Sequence, residues 1–170
     1  MARLYFDKRF PTHPLRYLFQ CALATAVVVI VLALTDAVNR SALVGALGAS
    51  AFVAFAFPAR NVSRPRFLLG GYAVGLAVGV VVGLLARQIV YPANPAAVET
   101  LRVIMGGVAV GAAIFVMTIT NTEHPPAAGI ALGMVMDTTW GFGTVALVVC
   151  AIVALCLLKE FSRPVLIDLA

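Results

Sequence analysis

Long stretches with almost no charge constrain the fold of this chain more than any other feature. Tyr17 to Thr35, Ser41 to Ala59, Phe67 to Ala86 and Val103 to Thr122 carry no charged side chain, and Pro125 to Leu158 carries only Asp137. A charge-free apolar run of about 18 residues or more can cross a hydrocarbon core of roughly 30 Å as a helix. A soluble domain has about a quarter of its residues charged, whereas this chain of 170 residues has 11% charged and 62% hydrophobic. Its mean hydropathy is +1.04. These features predict an all-α polytopic membrane protein, not a soluble or secreted one.

The net charge of +5 does not point to nucleic acid, because the basic residues sit in short loops between apolar runs, where membrane topology accounts for them. Cys21, Cys150 and Cys156 all lie within apolar runs. They read as small apolar fillers rather than a disulfide framework or a metal site. The first apolar run is too long for a signal-peptide core and is followed by further spans.

The chain divides into an N-terminal cytoplasmic or interfacial segment, 1–16, a transmembrane domain, 17–158, and a C-terminal cytoplasmic tail, 159–170. The first segment could hold a short amphipathic helix before Pro11. Four long spans are expected: Tyr17 to about Ala37, Phe67 to Ala86, Val103 to Thr118 and Trp140 to Leu158. Two short Gly/Ala-rich segments, Ala42 to Phe57 and Pro126 to Met136, separate them. Arg87 to Arg102 reads as a polar loop, and Asp137 to Thr139 as a turn.

Positive charges test whether the short segments cross. If both cross, Arg3, Lys8, Arg9, Arg16, Arg60, Arg64, Arg66, Lys159 and Arg163 lie on one side and Arg40, Arg87 and Arg102 on the other, 9 against 3. Re-entrance of both gives 8 against 4, and crossing of the first alone gives 7 against 5. The positive-inside rule favours six crossings with both termini cytoplasmic, in the inner (plasma) membrane. The order long, short, long then appears twice with opposite orientation, which suggests a 3+3 inverted repeat.

Gly71, Gly75, Gly79 and Gly83 recur every four residues, as do Gly107 with Gly111 and Gly129 with Gly133. Such rows let backbones approach closely. They serve either packing within one chain or a homo-oligomer interface. The stretch Asn121-Thr122-Glu123-His124-Pro125-Pro126 is the most informative. Pro-Pro cannot continue a helix but can open one, and the helix that follows is too short to span the core. Its N-terminus would carry a positive dipole end suited to an anion. The plainer reading is that Glu123 and His124 cap a helix at headgroup depth.

Glu123-His124-Pro125-Pro126-Ala127-Ala128-Gly129 resembles the HPP family of integral membrane proteins, named for that tripeptide. A second block agrees: Gly45-Ala46-Leu47-Gly48-Ala49-Ser50-Ala51, then Phe57-Pro58, Arg64-Pro65-Arg66 and Gly70-Gly71. The likeness covers roughly Tyr17 to Leu158. The chain departs from the family pattern at Arg60, Asn61, Arg64 and Tyr72, where Ser, Pro, Gln and His would be expected, and Glu123 is not a fixed feature of the family. The resemblance implies a small multi-spanning transporter, and members in photosynthetic lineages are associated with nitrite movement. The family is usually described with four transmembrane helices, against six crossings here.

The leading expectation is therefore a transporter of a small inorganic anion, nitrite first. Its site would lie at the N-termini of the short half-helices, where Ser41 could cap the first. Candidate substrate-binding residues are Asn121, Thr122, Glu123, His124, Pro125, Pro126, Gly48, Ala49, Ser50 and Arg66, with Thr120 as a further hydroxyl donor. Ionisable groups at membrane depth are costly and mark ion or proton paths. Coupling to a proton, with Glu123 as carrier and His124 as gate or ligand, follows as a hypothesis. The rivals are an anion channel and a sensory membrane partner that transports nothing. An intramembrane hydrolase built on Glu123 and His124 lacks a nucleophile motif, so the chain is expected not to be an enzyme. No cofactor or metal is expected. The partners expected are the bilayer, an anion, protons and a second copy of the chain through the glycine-rich faces.

Overall fold

The computed structural model describes residues 12–34, 41–89 and 95–169. Among these, the helices in chain order are α1 Pro14–Leu34, α2 Ser41–Ala56, α3 Pro65–Ile89, α4 Pro95–Thr120, α5 Pro125–Met136 and α6 Phe142–Ser162. Short 3-10 turns follow α2 at Asn61–Ser63 and α6 at Arg163–Val165. α1, α3, α4 and α5 each begin on a proline. Proline has no amide hydrogen to lose in a first turn, and its fixed φ suits that position.

The polar loop expected over Arg87 to Arg102 is shorter than its charges suggest. Arg87 lies in the last turn of α3, and Glu99 and Arg102 lie inside α4. A charged residue excludes a position from the hydrocarbon but not from a helix that projects beyond it. α3, residues 97–120 of α4 and residues 142–165 are each long and apolar enough to span a membrane. α1 has 21 helical residues. α2 has 16 and α5 has 12, so at 1.5 Å per residue they reach only about 24 and 18 Å. The N-terminal segment before Pro11 lies outside the described residues, as do the side chain of Ser41 and the end of the first expected span.

α5 sits at the centre, packed on α3, α4 and α2. Contacts at glycines fix the directions. A Cβ on Gly71 would meet His124, one on Gly79 would meet Ala131 and Met134, and one on Gly83 would meet Met134 and Trp140. α3 and α5 therefore run parallel. Gly129 faces Ala46 and Gly133 faces Ala42 and Leu43, so α2 runs antiparallel to α5, as the middle helices of an inverted repeat do. The glycine row on α3 is thus a seam within the protomer and not an oligomer face. Of the spaced pairs, Gly107 and Gly111 on α4 look onto open space. Around them Ile104, Val108, Ile114, Phe115 and Ile119 are exposed. Such a surface would aggregate in water but is at home against lipid tails.

Both ends of the described chain lie at one end of the bundle. The Gln20 amide donates to Ile167 O at 2.8 Å and accepts the Ile167 amide at 3.1 Å, and Tyr17 Oη donates to Leu169 O at 3.1 Å. The α2–α3 connection joins them there, since Leu169 N donates to Ala56 O at 2.8 Å and Ala59 N to Asp168 Oδ1 at 2.9 Å. The Arg87–Thr138 contact of 2.9 Å marks the opposite end. Successive helices alternate in direction, the arrangement six crossings require. Ser63 is buried and donates to Val53 O and Phe57 O at 2.8 and 2.7 Å, so a cysteine there would report burial rather than sidedness. Exposed Ala59 and Thr138 are better reporters. In a cysteine-free background, Ala59→Cys and Thr138→Cys should react with an impermeant reagent from opposite sides of the membrane. Reaction of both from one side would overturn the alternation.

Candidate functional site

The site is built around the break between α4 and α5. α4 stops at a left-handed residue, Asn121, with φ 52°. Its amide donates to Thr118 O at 3.3 Å and that of Thr122 to Met117 O at 2.9 Å. This pair of bonds closes a helix through a C-terminal residue that tolerates positive φ, usually glycine and sometimes asparagine. Asn121 is exposed and acts as a helix stop, so its place is structural. Asn121→Gly should leave the melting temperature within a degree or two of wild type. Asn121→Val should destabilise by about 1–2 kcal/mol, the cost of the left-handed conformation for an L side chain. Equal melting of all three proteins would remove this role.

Beyond Asn121 the chain leaves the helix, and His124 is extended, with φ −135° and ψ 95°. It lies against α3 where Gly70 and Gly71 leave room. A Cβ on Gly70 would stand 2.7 Å from the Thr122 methyl, and one on Gly71 would stand 2.6 Å from His124 Cβ. The Gly-Gly pair is the cradle for the residues before Pro-Pro. Two sequence blocks that are far apart in the chain therefore meet here.

His124 is fully buried, as is Ser50, and Tyr72 is 1% exposed. Together they form a continuous polar chain inside an apolar bundle. His124 Nδ1 lies 3.0 Å from Val62 O, and Nε2 lies 2.9 Å from Ser50 Oγ. Ser50 Oγ lies 2.7 Å from Tyr72 Oη, which lies 3.2 Å from Ala46 O. A carbonyl only accepts, so Nδ1 carries the hydrogen and donates to Val62. In the neutral imidazole Nε2 then accepts from Ser50, which leaves the Tyr72 hydroxyl to donate to Ser50 Oγ or to Ala46 O. The two carbonyls at the ends enclose four contacts, but the neutral side chains bring only three hydrogens. Tyr72 has one hydrogen for two acceptors, Ser50 Oγ and Ala46 O, so one of these two contacts goes without. With a proton on Nε2, His124 donates to Ser50, Ser50 to Tyr72 and Tyr72 to Ala46 O, and all four contacts are filled.

A cavity of about 270 Å³ opens beside His124 between α4 and α5, lined by Met117, Thr118, Glu123, Pro125 and Ala128 among others. Glu123 is partly buried and has no hydrogen-bond partner among the described residues. Neither Glu123 nor His124 caps α5 through its side chain. The start of α5 also offers an anion less than expected. Pro125 and Pro126 have no amide hydrogen, and Ala127 N is committed to His124 O at 2.9 Å. The helix dipole remains, but donors to an anion would have to come from side chains.

The other candidates fall away from this centre. Arg66 is exposed and donates to Thr120 O at 3.2 Å, closing the end of α4. Thr120 Oγ1 bonds Val116 O and Thr122 Oγ1 at 2.7 and 2.9 Å. Ala49 is exposed, and Gly48 looks onto open space. Successive helical residues turn by about 100°, so of Gly48, Ala49 and Ser50 only one points to the core. Sequence reasoning missed Tyr72, although it is one of the departures from the family pattern and a hydroxyl in a span without charge. It also missed the Val62 carbonyl, which no side-chain pattern can reveal. No group of three His, Cys, Asp or Glu that could hold a metal occurs among the described residues.

The family model described as HPP, transmembrane region, matches residues 10–161. Neither the curated proteins nor the solved structures gave a match. With nearly the whole chain covered, and the His-Pro-Pro, Gly-Gly and Gly-Ala-Ser blocks meeting in space, this multi-pass membrane protein belongs to the HPP family.

Proposed function

We propose that this chain carries a small inorganic anion, nitrite first among them, across the membrane together with a proton. The observation that carries this reading is the buried Tyr72–Ser50–His124 chain, one hydrogen short of completion. A proton taken up on His124 completes the hydrogen bonds but places a charge in an apolar bundle. A monovalent anion in the adjoining cavity offsets that charge. At a separation of about 5 Å and an effective dielectric near 20, the attraction is about 3 kcal/mol. Each partner then raises the affinity for the other by on the order of a hundredfold, since such coupling is reciprocal. The pair is neutral, which lowers the cost of crossing hydrocarbon.

Glu123, in the same cavity, repels an anion when ionised and does not when protonated. It serves as a second proton carrier beside the route. In this reading the chain is a transporter and not an enzyme, and it lies in the plasma membrane. The bundle end holding Arg16, Arg60, Arg64, Arg66, Lys159 and Arg163 faces the cytoplasm, since the opposite end has only Arg87 and Arg102 among the described residues.

Proteoliposome uptake tests the reading with nitrite, nitrate, formate and chloride, with and without a pH gradient. Saturable nitrite uptake accelerated by an inward proton gradient is expected. A current that never saturates would favour a channel, and no flux of any of the four would remove the transport reading.

A further inference from the structure

A second cavity, of about 440 Å³, lies at the bundle end where both ends of the described chain meet, between the start of α3, the end of α6 and the C-terminal segment. Three cations from three segments line it: Arg64 before α3, Lys159 in α6 and Arg163 in the turn that follows. Among the described residues two carboxylates, Glu160 and Asp168, line it against these three cations. Glu160 is shared, with Oε1 2.6 Å from Lys159 Nζ and Oε2 3.6 Å from Arg163 Nη1. Asp168 receives the Ala59 amide at 2.9 Å. Arg64 has no ion pair among the described residues.

Lys159 is the informative member. It is 1% exposed, and removing an ammonium from water is costly unless acceptors replace the water. It has three N–H bonds, and Glu160 is its one acceptor among the described residues. A buried, under-accepted ammonium on the wall of a cavity, with two guanidinium groups on the same wall, calls for an acceptor-rich anion. Guanidinium forks match phosphate oxygens in pairs, and an ammonium adds a point charge. The volume falls within the usual range for a small-ligand pocket, about 300–1,000 Å³.

We propose that this cavity binds a phosphate group, held by Arg64, Lys159 and Arg163. The cavity sits where α3 and α6 leave their apolar stretches, so the group could belong to a phospholipid headgroup or to a free phosphate. The Pro58–Arg64 connection forms one wall and also carries Val62, whose carbonyl fixes His124. An occupied cavity would brace that connection. The proposal does not depend on what the protein transports.

The test uses the full chain in detergent at constant ionic strength, titrated with inorganic phosphate and separately with short-chain phosphatidylglycerol. Binding is followed by thermal melting and native mass spectrometry. The double variant Arg64→Gln with Arg163→Gln alters two exposed side chains, so its fold should persist, and Lys159→Met is a second probe. At least one ligand should bind wild type and weaken about tenfold or more in the double variant, as loss of charged hydrogen bonds predicts. Binding of the lipid alone assigns the headgroup, and binding of both assigns the phosphate group itself. Failure of both ligands to bind, or equal binding to wild type and the double variant, overturns the site.

Discussion

Gly75→Ala is expected to remove most of the folded protein recovered in detergent, although it adds one methyl group. The methyl would press on the backbone carbonyl of Ala127. A flexible side chain can swing away from such a contact, but a helix backbone cannot. Neighbouring glycines leave no room for a compensating shift of α5. Beyond Gly71 stands His124 Cβ, and beyond Gly79 stand Met134 Cβ at 2.8 Å and Ala131 Cα at 3.0 Å from an added Cβ. Overpacking typically costs about 1–3 kcal/mol and sometimes more, against a total stability of roughly 5–15 kcal/mol. Sliding α5 away would also pull His124 from Ser50, so the damage extends to the site. Gly75→Leu should leave no monodisperse protein at all. The control is Gly107→Ala on α4, where nothing lies within 4 Å and melting should not change. Thermal melting with size-exclusion chromatography decides it. Wild-type behaviour of Gly75→Ala would show that α3 and α5 are not in contact along this seam.

The glycine row shows what the sequence can and cannot reveal. Spacing by four states that a backbone comes close, but not which backbone. Gly71 to Gly83 serve α5, while Gly107 and Gly111, with the same spacing, meet no helix among the described residues. Proline opens α1, α3, α4 and α5, yet only the start of α5 is read from it in the sequence. The spans expected from Tyr17, Phe67 and Val103 begin earlier, at Pro14, Pro65 and Pro95. α4 extends eight residues before Val103 because Glu99 and Arg102 mark the edge of the apolar region and not the end of the helix. The site was half legible. His124 announces itself through Pro-Pro, and Ser50 lies in a recognisable block, yet they are 74 residues apart, and only packing of α2 on α5 joins them. Tyr72 read as a departure from a pattern. Its hydroxyl matters because α3 places it beside Ser50, a fact of three-dimensional register. Arg66 attracted attention by its charge, and its task is to close the end of α4.

Tyr72→Phe should separate substrate movement from the proton. The variant loses one hydrogen and the two contacts that hydroxyl makes, to Ser50 and to Ala46. Two hydrogens then serve the two remaining contacts, at Val62 and Ser50. The deficit that favours proton uptake is gone, while His124 keeps both partners and the fold keeps its ring. Nitrite exchange between compartments of equal pH should stay within about threefold of wild type, and acceleration by an inward proton gradient should disappear. Ser50→Ala acts differently, because it orphans His124 Nε2 and detaches Tyr72. An unsatisfied buried polar group costs about 1–3 kcal/mol, more than the roughly 0.6 kcal/mol average of an interhelical hydrogen bond in a membrane protein. Its uptake should fall more than tenfold with or without the gradient, and His124→Ala should do the same. Glu123→Gln adds the last comparison. If the carboxyl carries a proton, Gln abolishes the response to a pH gradient and spares exchange, as Tyr72→Phe does. If Glu123 only lines the cavity, Gln leaves the pH response intact and the two variants part. The measurement is counterflow at equal pH against uptake after a pH jump, in proteoliposomes of each variant. A Tyr72→Phe protein whose uptake follows the gradient as wild type does would remove the hydrogen-bonded chain from the coupling mechanism.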